Sequence, residues 1–180
     1  MNEHGHLITV AQFKALTRPT SCHVDDNEVM TFIAECEDMH IIPAIGYANF
    51  RAATSSETFD YTFDETFNAS IWLDGGEFLA GCGDCGRTEW CVGLRKTLAY
   101  YVYAKMLRAD GTILARTGAM RHNDQYANHV DPNRKQYDDV MNAADRYLAG
   151  CMMYAKQHTT ECNTVRPIKG TRATIKAIGD

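Results

Sequence analysis

The chain has 180 residues, a hydrophobic fraction of 45% and a formal net charge of −5. This length suffices to bury a core without disulfides or metal ions, and a single domain is expected. The acidic balance argues against general binding to nucleic acid, and the first residues, MNEHGHLITV, lack the pattern of a secretory signal.

Helices are predicted through the first 50 residues. Thr9 is a candidate N-cap before an apolar helical stripe. Asp25 opens a second helix, whose acids, Glu37 among them, are expected to face solvent. Pro43 occupies the first turn of a third helix. The second and third helices are therefore predicted to meet at a sharp bend near residues 41–43.

The pattern is weakest between residues 53 and 89. Aromatic residues that alternate with polar ones predict one short strand, and these aromatics are Phe59, Tyr61 and Phe63. The alternative is a loop that leads into a helix over residues 65–73. Gly75 and Gly76 predict a turn, and residues 81–86 predict a glycine-rich loop.

Residues 89–109 predict the helix around which the rest of the chain is organised. Its second half, residues 98–107, is apolar on nearly every side. Such a helix is either buried by neighbours on several sides or spans a membrane, and its charged residues exclude a clean span. We therefore expect Leu98 in the core and a helix end at Asp110-Gly111.

The C-terminal half of the chain contains the clearest helical periodicity. Residues 112–116 predict a short strand or connector, and residues 121–128 one or two helical turns. Asp131-Pro132 is a helix start signal. The helix that follows is predicted to reach Gln157, with Leu148 in its apolar stripe.

The periodicity fades from residue 158 onward, which predicts an extended arm. The fold class is therefore mainly α: a bundle of four to five helices around a central buried helix, with a small β element and an extended C-terminal arm. The predicted division is a helical domain over residues 1–157 and a basic arm over residues 158–180.

The cysteines offer the only spacing typical of a metal site. Cys82 and Cys85, with Cys91 nearby, form half of a zinc site or a redox pair, and His122 or His129 would have to complete the ligand set. A second cysteine pair and a βαβ pattern are both missing from the sequence. Ordinary thiols in a reducing cytoplasm are therefore expected, with no metal, no cofactor and no enzymatic activity.

Charge is unevenly distributed along the chain. Acids dominate residues 25–89, opposed by Arg51 and Arg87 alone. Residues 163–180 carry four basic residues against Asp180, and these are Arg166, Lys169, Arg172 and Lys176. We predict that this basic tail contacts an acidic partner, and the alternative is that both regions are solvated faces.

Three stretches together resemble a known family. They are LITVAQFKALTRPTSCHVDDNEVMTFIAECEDMHIIPAIGYANF, then LDGGEF with VGLRKTLAYYVYAKMLRADGT, and finally YDDVMNAADRYLAGCMMY. Their order is similar to that of the head–tail connector (adaptor or ring) proteins of tailed bacteriophages, in the version found in Bacteroidetes-infecting and crAss-like phages. The resemblance covers most of residues 7–154 and excludes the cysteine-rich loop and the tail.

The resemblance implies a structural role in the virion. Connectors of this type form a homo-oligomeric ring, typically twelve-fold, at the head–tail junction, between the portal protein and other neck or tail ring proteins. They are made in the host bacterial cytoplasm, contact no membrane, and meet DNA only as it passes through the channel. Their C-terminal segment commonly reaches the portal, so the four basic tail residues are the expected partner contacts. An acidic channel face would repel DNA phosphates, and residues 25–89 are the candidate for that face.

Two functions of other classes stay open at this stage. One is a small helical protein-binding module that recruits a partner through its basic C-terminal tail. The other is a thiol or zinc protein that uses Cys82 and Cys85. Oligomeric state distinguishes the first from a ring protein, and metal content distinguishes the second.

Overall fold

The computed structural model describes residues 5–18, 25–55, 63–80, 86–109, 112–115, 118–121 and 133–159. These residues are mainly helical, as predicted, with two small antiparallel hairpins. The helices are α1 (Val10–Leu16), α2 (Asp26–Cys36), α3 (Ile42–Ile45), α4 (Tyr47–Thr54), α5 (Ala69–Asp74), α6 (Leu94–Ala109) and α7 (Asn133–Gln157). The strands are β1 (Gly76–Ala80), β2 (Arg87–Cys91), β3 (Thr112–Ala115) and β4 (Gly118–Arg121).

Helix α6 is the buried centre of the bundle, as the sequence predicts. It packs along α7 and also contacts α1, α2 and α5. Leu98 on α6 and Leu148 on α7 are both buried, which confirms the two predicted core positions. Tyr101 and Val102 are buried beside them, so the apolar surface of α6 is covered from several directions.

Capping side chains fix where the first two helices begin. Thr9 Oγ1 accepts a hydrogen bond from the backbone N–H of Gln12, and the Gln12 side chain accepts one from the N–H of Thr9. Asp25 accepts from the N–H of Asn27 at 2.9 Å. Both predicted N-caps are therefore confirmed, and each satisfies a donor that the helix itself leaves unpaired.

The predicted bend near residues 41–43 is wrong, because the helix continues through Pro43. Between α2 and α3 lies a single π-helical turn, Glu37–Ile41, in which the N–H of Ile42 bonds to the carbonyl of Glu37. A proline ring normally clashes with the carbonyl four residues earlier, and the wider turn gives that carbonyl room. The direction changes instead at Gly46, whose φ of 83° favours glycine.

The main hairpin lies where the sequence predicted a turn and the first residues of the central helix. β1 pairs antiparallel with β2, from Gly76 opposite Cys91 to Ala80 opposite Arg87. Helix α6 consequently begins at Leu94 rather than at residue 89. The residue before it, Gly93, has a φ of 90°, which a helix interior excludes.

The short strand predicted around Phe59 lies mostly outside the described residues. Phe63, which belongs to that prediction, forms an isolated antiparallel bridge with Thr159. The alternative, a helix over residues 65–73, is close to the observed α5. Strand β3 matches the strand predicted over residues 112–116, whereas Arg121 belongs to β4 and not to a helical turn.

Both long helices end close to where the sequence placed their ends. Helix α6 ends at Ala109, before the predicted stop at Asp110-Gly111, and α7 ends at Gln157. The arm predicted over residues 158–180 lies outside the described residues except for His158 and Thr159.

Candidate functional site

The π-helical turn contains a buried carboxylate that holds the N-terminal segment. Glu37 is only 4% exposed, although the sequence analysis expected it to face solvent. Its Oε1 accepts a hydrogen bond from the N–H of Leu7 at 2.7 Å, and its Oε2 lies 2.8 Å from Nδ1 of His6. Burial raises the pKa of Glu37, and the hydrogen bonds from His6 and Leu7 oppose that rise.

A second set of contacts joins the π-helical turn to the two long helices. The ring of His40 stacks on Tyr101 with parallel planes and centroids 4.1 Å apart. The Tyr101 hydroxyl donates to Asp145 Oδ1 at 2.7 Å. Burial lowers the pKa of His40, while burial and the Asp145 contact raise the pKa of Tyr101.

These polar groups are engaged with one another. Both oxygens of Glu37 have partners, the Tyr101 proton is directed at Asp145, and Lys105 Nζ donates to Glu35 Oε1. Perturbed pKa values also occur in structural networks, and this arrangement fits that explanation. The cluster therefore fixes the N-terminal segment, α2, α6 and α7 relative to one another.

The described thiols lie in the core. Cys91 and Cys151 are buried, with their sulfur atoms 3.7 Å apart. Burial raises the pKa of Cys36 to about 12, and the hydrogen bond with Cys91, together with burial, raises the pKa of Cys151. Both thiols are consequently protonated at neutral pH, as expected for structural cysteines.

The predicted metal or redox set falls largely outside the described residues. Cys82, Cys85, His122 and His129 all lie there, and only Cys91 is described. In the part of the chain that the structure describes, no three His, Cys, Asp or Glu residues are grouped so that they could hold a metal ion.

One exposed apolar surface is formed by the β1–β2 hairpin. The register places Glu77 opposite Trp90 and Leu79 opposite Thr88, so these four residues share one face, which we call the hairpin surface. Leu79 is 66% exposed and Trp90 is 64% exposed. The other face is buried, since Phe78 packs against Tyr154 on α7 with ring centroids 5.0 Å apart.

Two further exposed apolar side chains lie at the π-helical turn and at the start of α4. Met39 is 55% exposed and Tyr47 is 51% exposed, and we call this pair the π-turn surface. Met39 Sδ lies 3.4 Å from Lys105 Nζ. Lys105 is about 16 Å beyond Leu94 along α6, at roughly 1.5 Å per residue. Because β2 leads into the start of α6, the two surfaces lie near opposite ends of that helix.

Sequence reasoning placed the candidate contacts elsewhere. The tail residues Arg166, Lys169, Arg172 and Lys176 lie outside the described residues, so their contacts stay a prediction. The hairpin surface was missed because residues 89–91 were assigned to the central helix. The sequence Arg-Thr-Glu-Trp-Cys after the glycine-rich loop does not alternate between polar and apolar residues, so no local pattern identifies the hairpin.

Comparison with known proteins gives one family and no named relative. The sequence model of a protein family, described as a family of unknown function (DUF6712), matches residues 41–164, which is more than half of the chain. No curated protein and no solved structure matches the chain. Among the described residues, none of the helices combines the length and apolar character needed to cross a membrane. The match extends from the end of the π-helical turn through the hairpin, α6 and α7, and on this basis the chain belongs to the DUF6712 family.

Proposed function

We propose that this protein is a structural component of a tailed phage neck. Copies of it form a ring at the head–tail junction, joining the portal protein to the neck or tail ring proteins below and leaving a channel for DNA. The partners are the portal, those ring proteins and further copies of the chain. The protein is made in the host cytoplasm and ends in the virion.

The way in which the resembling stretches pack supports the proposal. The first stretch contains the π-helical turn, the second contains α6, and the third lies in α7. The contacts from His40 to Tyr101 and from Tyr101 to Asp145 join all three. The parts of the chain that resemble connector proteins therefore form one packed unit.

The observation that carries the proposal is the pair of separate apolar surfaces. Exposed tryptophan, tyrosine and methionine side chains are typical of interface residues. A closed ring needs a heterologous contact, in which one surface of each copy meets a different surface of the next. The hairpin surface and the π-turn surface, near opposite ends of α6, provide two such patches on one chain.

The acidic region completes the proposal. Acids outnumber basic residues strongly over residues 25–89. If that region lines the channel, its charge repels DNA phosphates and keeps the genome from adhering during passage. A ring reconstruction that places these residues on the outer rim would rule out this part of the proposal.

Co-expression with the portal protein of the same phage tests the function. The full chain and a version that lacks residues 160–180 are each purified through a tag on the portal and imaged by negative stain. This truncation keeps the 3.0 Å contact between His158 and Asp64. Rings on the portal that disappear on truncation would support the connector role and the arm. Failure of both versions to bind the portal would contradict it and favour the small binding module.

A further inference from the structure

We propose that the hairpin surface is a docking site for the chain's own C-terminal segment, residues 160–180. The docking itself does not depend on the proposed function. The consequence of docking does rest on the proposed function. In the free protein the segment would cover one of the two surfaces that a ring requires, until the portal binds the segment.

The hairpin surface has the character of a docking site. It combines a tryptophan and a leucine that are both about two-thirds exposed with the exposed carboxylate of Glu77 directly across from Trp90. A two-stranded sheet is marginal by itself and exposes strand edges that another segment can contact. The inner face is already occupied by the core, so the outer face is the one available to the segment.

The chain leaves helix α7 beside strand β1 of the hairpin. The Gln157 side chain donates a hydrogen bond to the carbonyl of Leu79 on β1. Thr159 then bridges Phe63. The next 21 residues could extend by up to about 70 Å, so the hairpin surface is well within reach. A short tether of this kind also gives a local concentration on the order of millimolar.

The charges of the two parts are complementary. The described residues around the hairpin, 63–80 and 86–91, carry five acids against one arginine, and these are Asp64, Glu65, Asp74, Glu77, Glu89 and Arg87. Asp74 is paired with Arg95 and Asp64 contacts His158, so Glu65, Glu77 and Glu89 are the acids that remain for the tail. Residues 160–180 carry four basic residues against Glu161 and Asp180. The same tail contains Ile168, Ile175 and Ile178, which could pack on Leu79, and arginines, which favour the face of a tryptophan.

Acrylamide quenching of tryptophan fluorescence tests the docking in the full chain. The protein has two tryptophans, and Trp72 is buried, so the neutral quencher reports mainly on Trp90. The comparison is made in the Met39→Ser background, so that a released hairpin surface cannot be covered by the π-turn surface of another copy. Reversing two tail charges with Arg172→Glu and Lys176→Glu should release the segment and leave Trp90 exposed. We expect the quenching constant to rise roughly twofold, and protein with the wild-type tail should show a similar rise when salt shortens the Debye length from roughly 14 Å to about 4 Å.

Three further measurements define the outcome. Lys135→Glu, which reverses an exposed charge on α7, should leave the quenching constant unchanged. Adding Glu77→Lys to the tail-reversed protein should restore part of the protection, because the charges are then exchanged. Quenching that is equal in protein with the wild-type tail and in tail-reversed protein would overturn the proposal. Protection that grows with protein concentration would overturn the assignment to the chain's own segment and give the site to the tail of a second copy.

Discussion

Leu98 and Leu148 are the residues whose side chains most directly test the core. They lie on α6 and α7, which pack along each other, and both are buried. Replacing either with alanine should lower the free energy of unfolding by about 2–5 kcal/mol, because apolar contacts are lost and a cavity stays behind. Urea titration followed by circular dichroism measures the change.

The matched control for this core test is Met153→Ala. Met153 also lies on α7 but is exposed, so its replacement should change the free energy of unfolding by less than about 0.5 kcal/mol. A cost below about 1 kcal/mol for both leucine variants would show that the core has been misplaced.

Glu37 gives the molecule a pH dependence with a defined sign. Burial raises the pKa of this carboxyl in the folded state above its ordinary value of 4.5. Its contribution to stability is therefore fully present below the unfolded-state pKa and is lost as pH rises through the raised folded-state value. The Glu37→Gln variant does not titrate, and its amide can still accept from Leu7.

The quantity to measure is the difference in the free energy of unfolding between the wild type and Glu37→Gln. Relative to Glu37→Gln, the wild type should lose stability as pH rises from below the ordinary value of 4.5 through the raised folded-state pKa. Denaturant titrations at several pH values would show it. Two stability curves that run parallel over this interval would contradict the assignment of a raised pKa to Glu37.

At the scale of elements, two glycines set how the hairpin joins the helices on either side. Gly75 ends α5 with a φ of 98°, and Gly93 precedes α6 with a φ of 90°. A Cβ on Gly93 would lie 2.6 Å from the backbone of Asp74 and Gly75, and a Cβ on Gly75 would lie 2.6 Å from the carbonyl of Val92. The two chain segments therefore touch backbone to backbone.

Replacing Gly93 with alanine should destabilise the protein, because of its positive φ and because its backbone lies close to that of Asp74 and Gly75. The positive φ and the backbone overlap together should lower the free energy of unfolding by more than about 2 kcal/mol. Gly150→Ala is the control, because Gly150 lies within α7 and a Cβ there meets nothing within 4 Å. That change should stabilise the protein by about 0.5–1 kcal/mol. Equal effects of the two substitutions in thermal melts would refute the argument.

The same elements show what local sequence could and could not predict. Thr9, Asp25 and the Asp131-Pro132 start carry local signals, since capping depends on a few neighbouring residues. Leu98 and Leu148 follow from helical periodicity. The residues before α6 are different, because residues 89–91 fit a helical or a strand pattern equally well. Pairing with β1, thirteen or so residues earlier, decides between them.

The burial of Glu37 could not be predicted for a related reason. Its position on the α2 pattern points to solvent, and only the π-helical turn and the backbone N–H of Leu7 bring it inside. The contact with Leu7 joins residues 30 positions apart, which no local pattern can indicate. The exposed surfaces could not be located either, because a Trp or Met in sequence gives no indication of whether a neighbour covers it.

For the whole molecule, the ring proposal makes a prediction about mixtures. Trp90→Ser removes the hairpin surface and Met39→Ser removes the π-turn surface, and the tail charges are reversed in both so that the hairpin surface is uncovered. Neither variant alone should assemble, because each contact needs both surfaces. A mixture should form dimers and stop there, since one intact contact remains and the chain of contacts cannot continue.

Mass photometry of the separate and mixed variants measures this directly. The control is the tail-reversed protein with both surfaces intact, which should give higher oligomers. Rings formed by either variant alone would refute a head-to-tail contact through these two surfaces. A mixture of the two variants that stays monomeric would also refute this contact.

The π-helical turn has a consequence for where relatives of this chain can vary in length. Along α2 the buried apolar positions Val29, Ile33 and Cys36 follow ordinary helical spacing, and the next buried apolar position, Ile41, comes five residues later. The wide turn absorbs one additional residue, so that Ile41 returns to the buried side. A relative with one residue fewer here would form a regular helix with the same inward-facing side chains. Single-residue insertions and deletions in this helix should therefore concentrate at positions 37–41, since anywhere else they would rotate the following residues by about 100° out of the core.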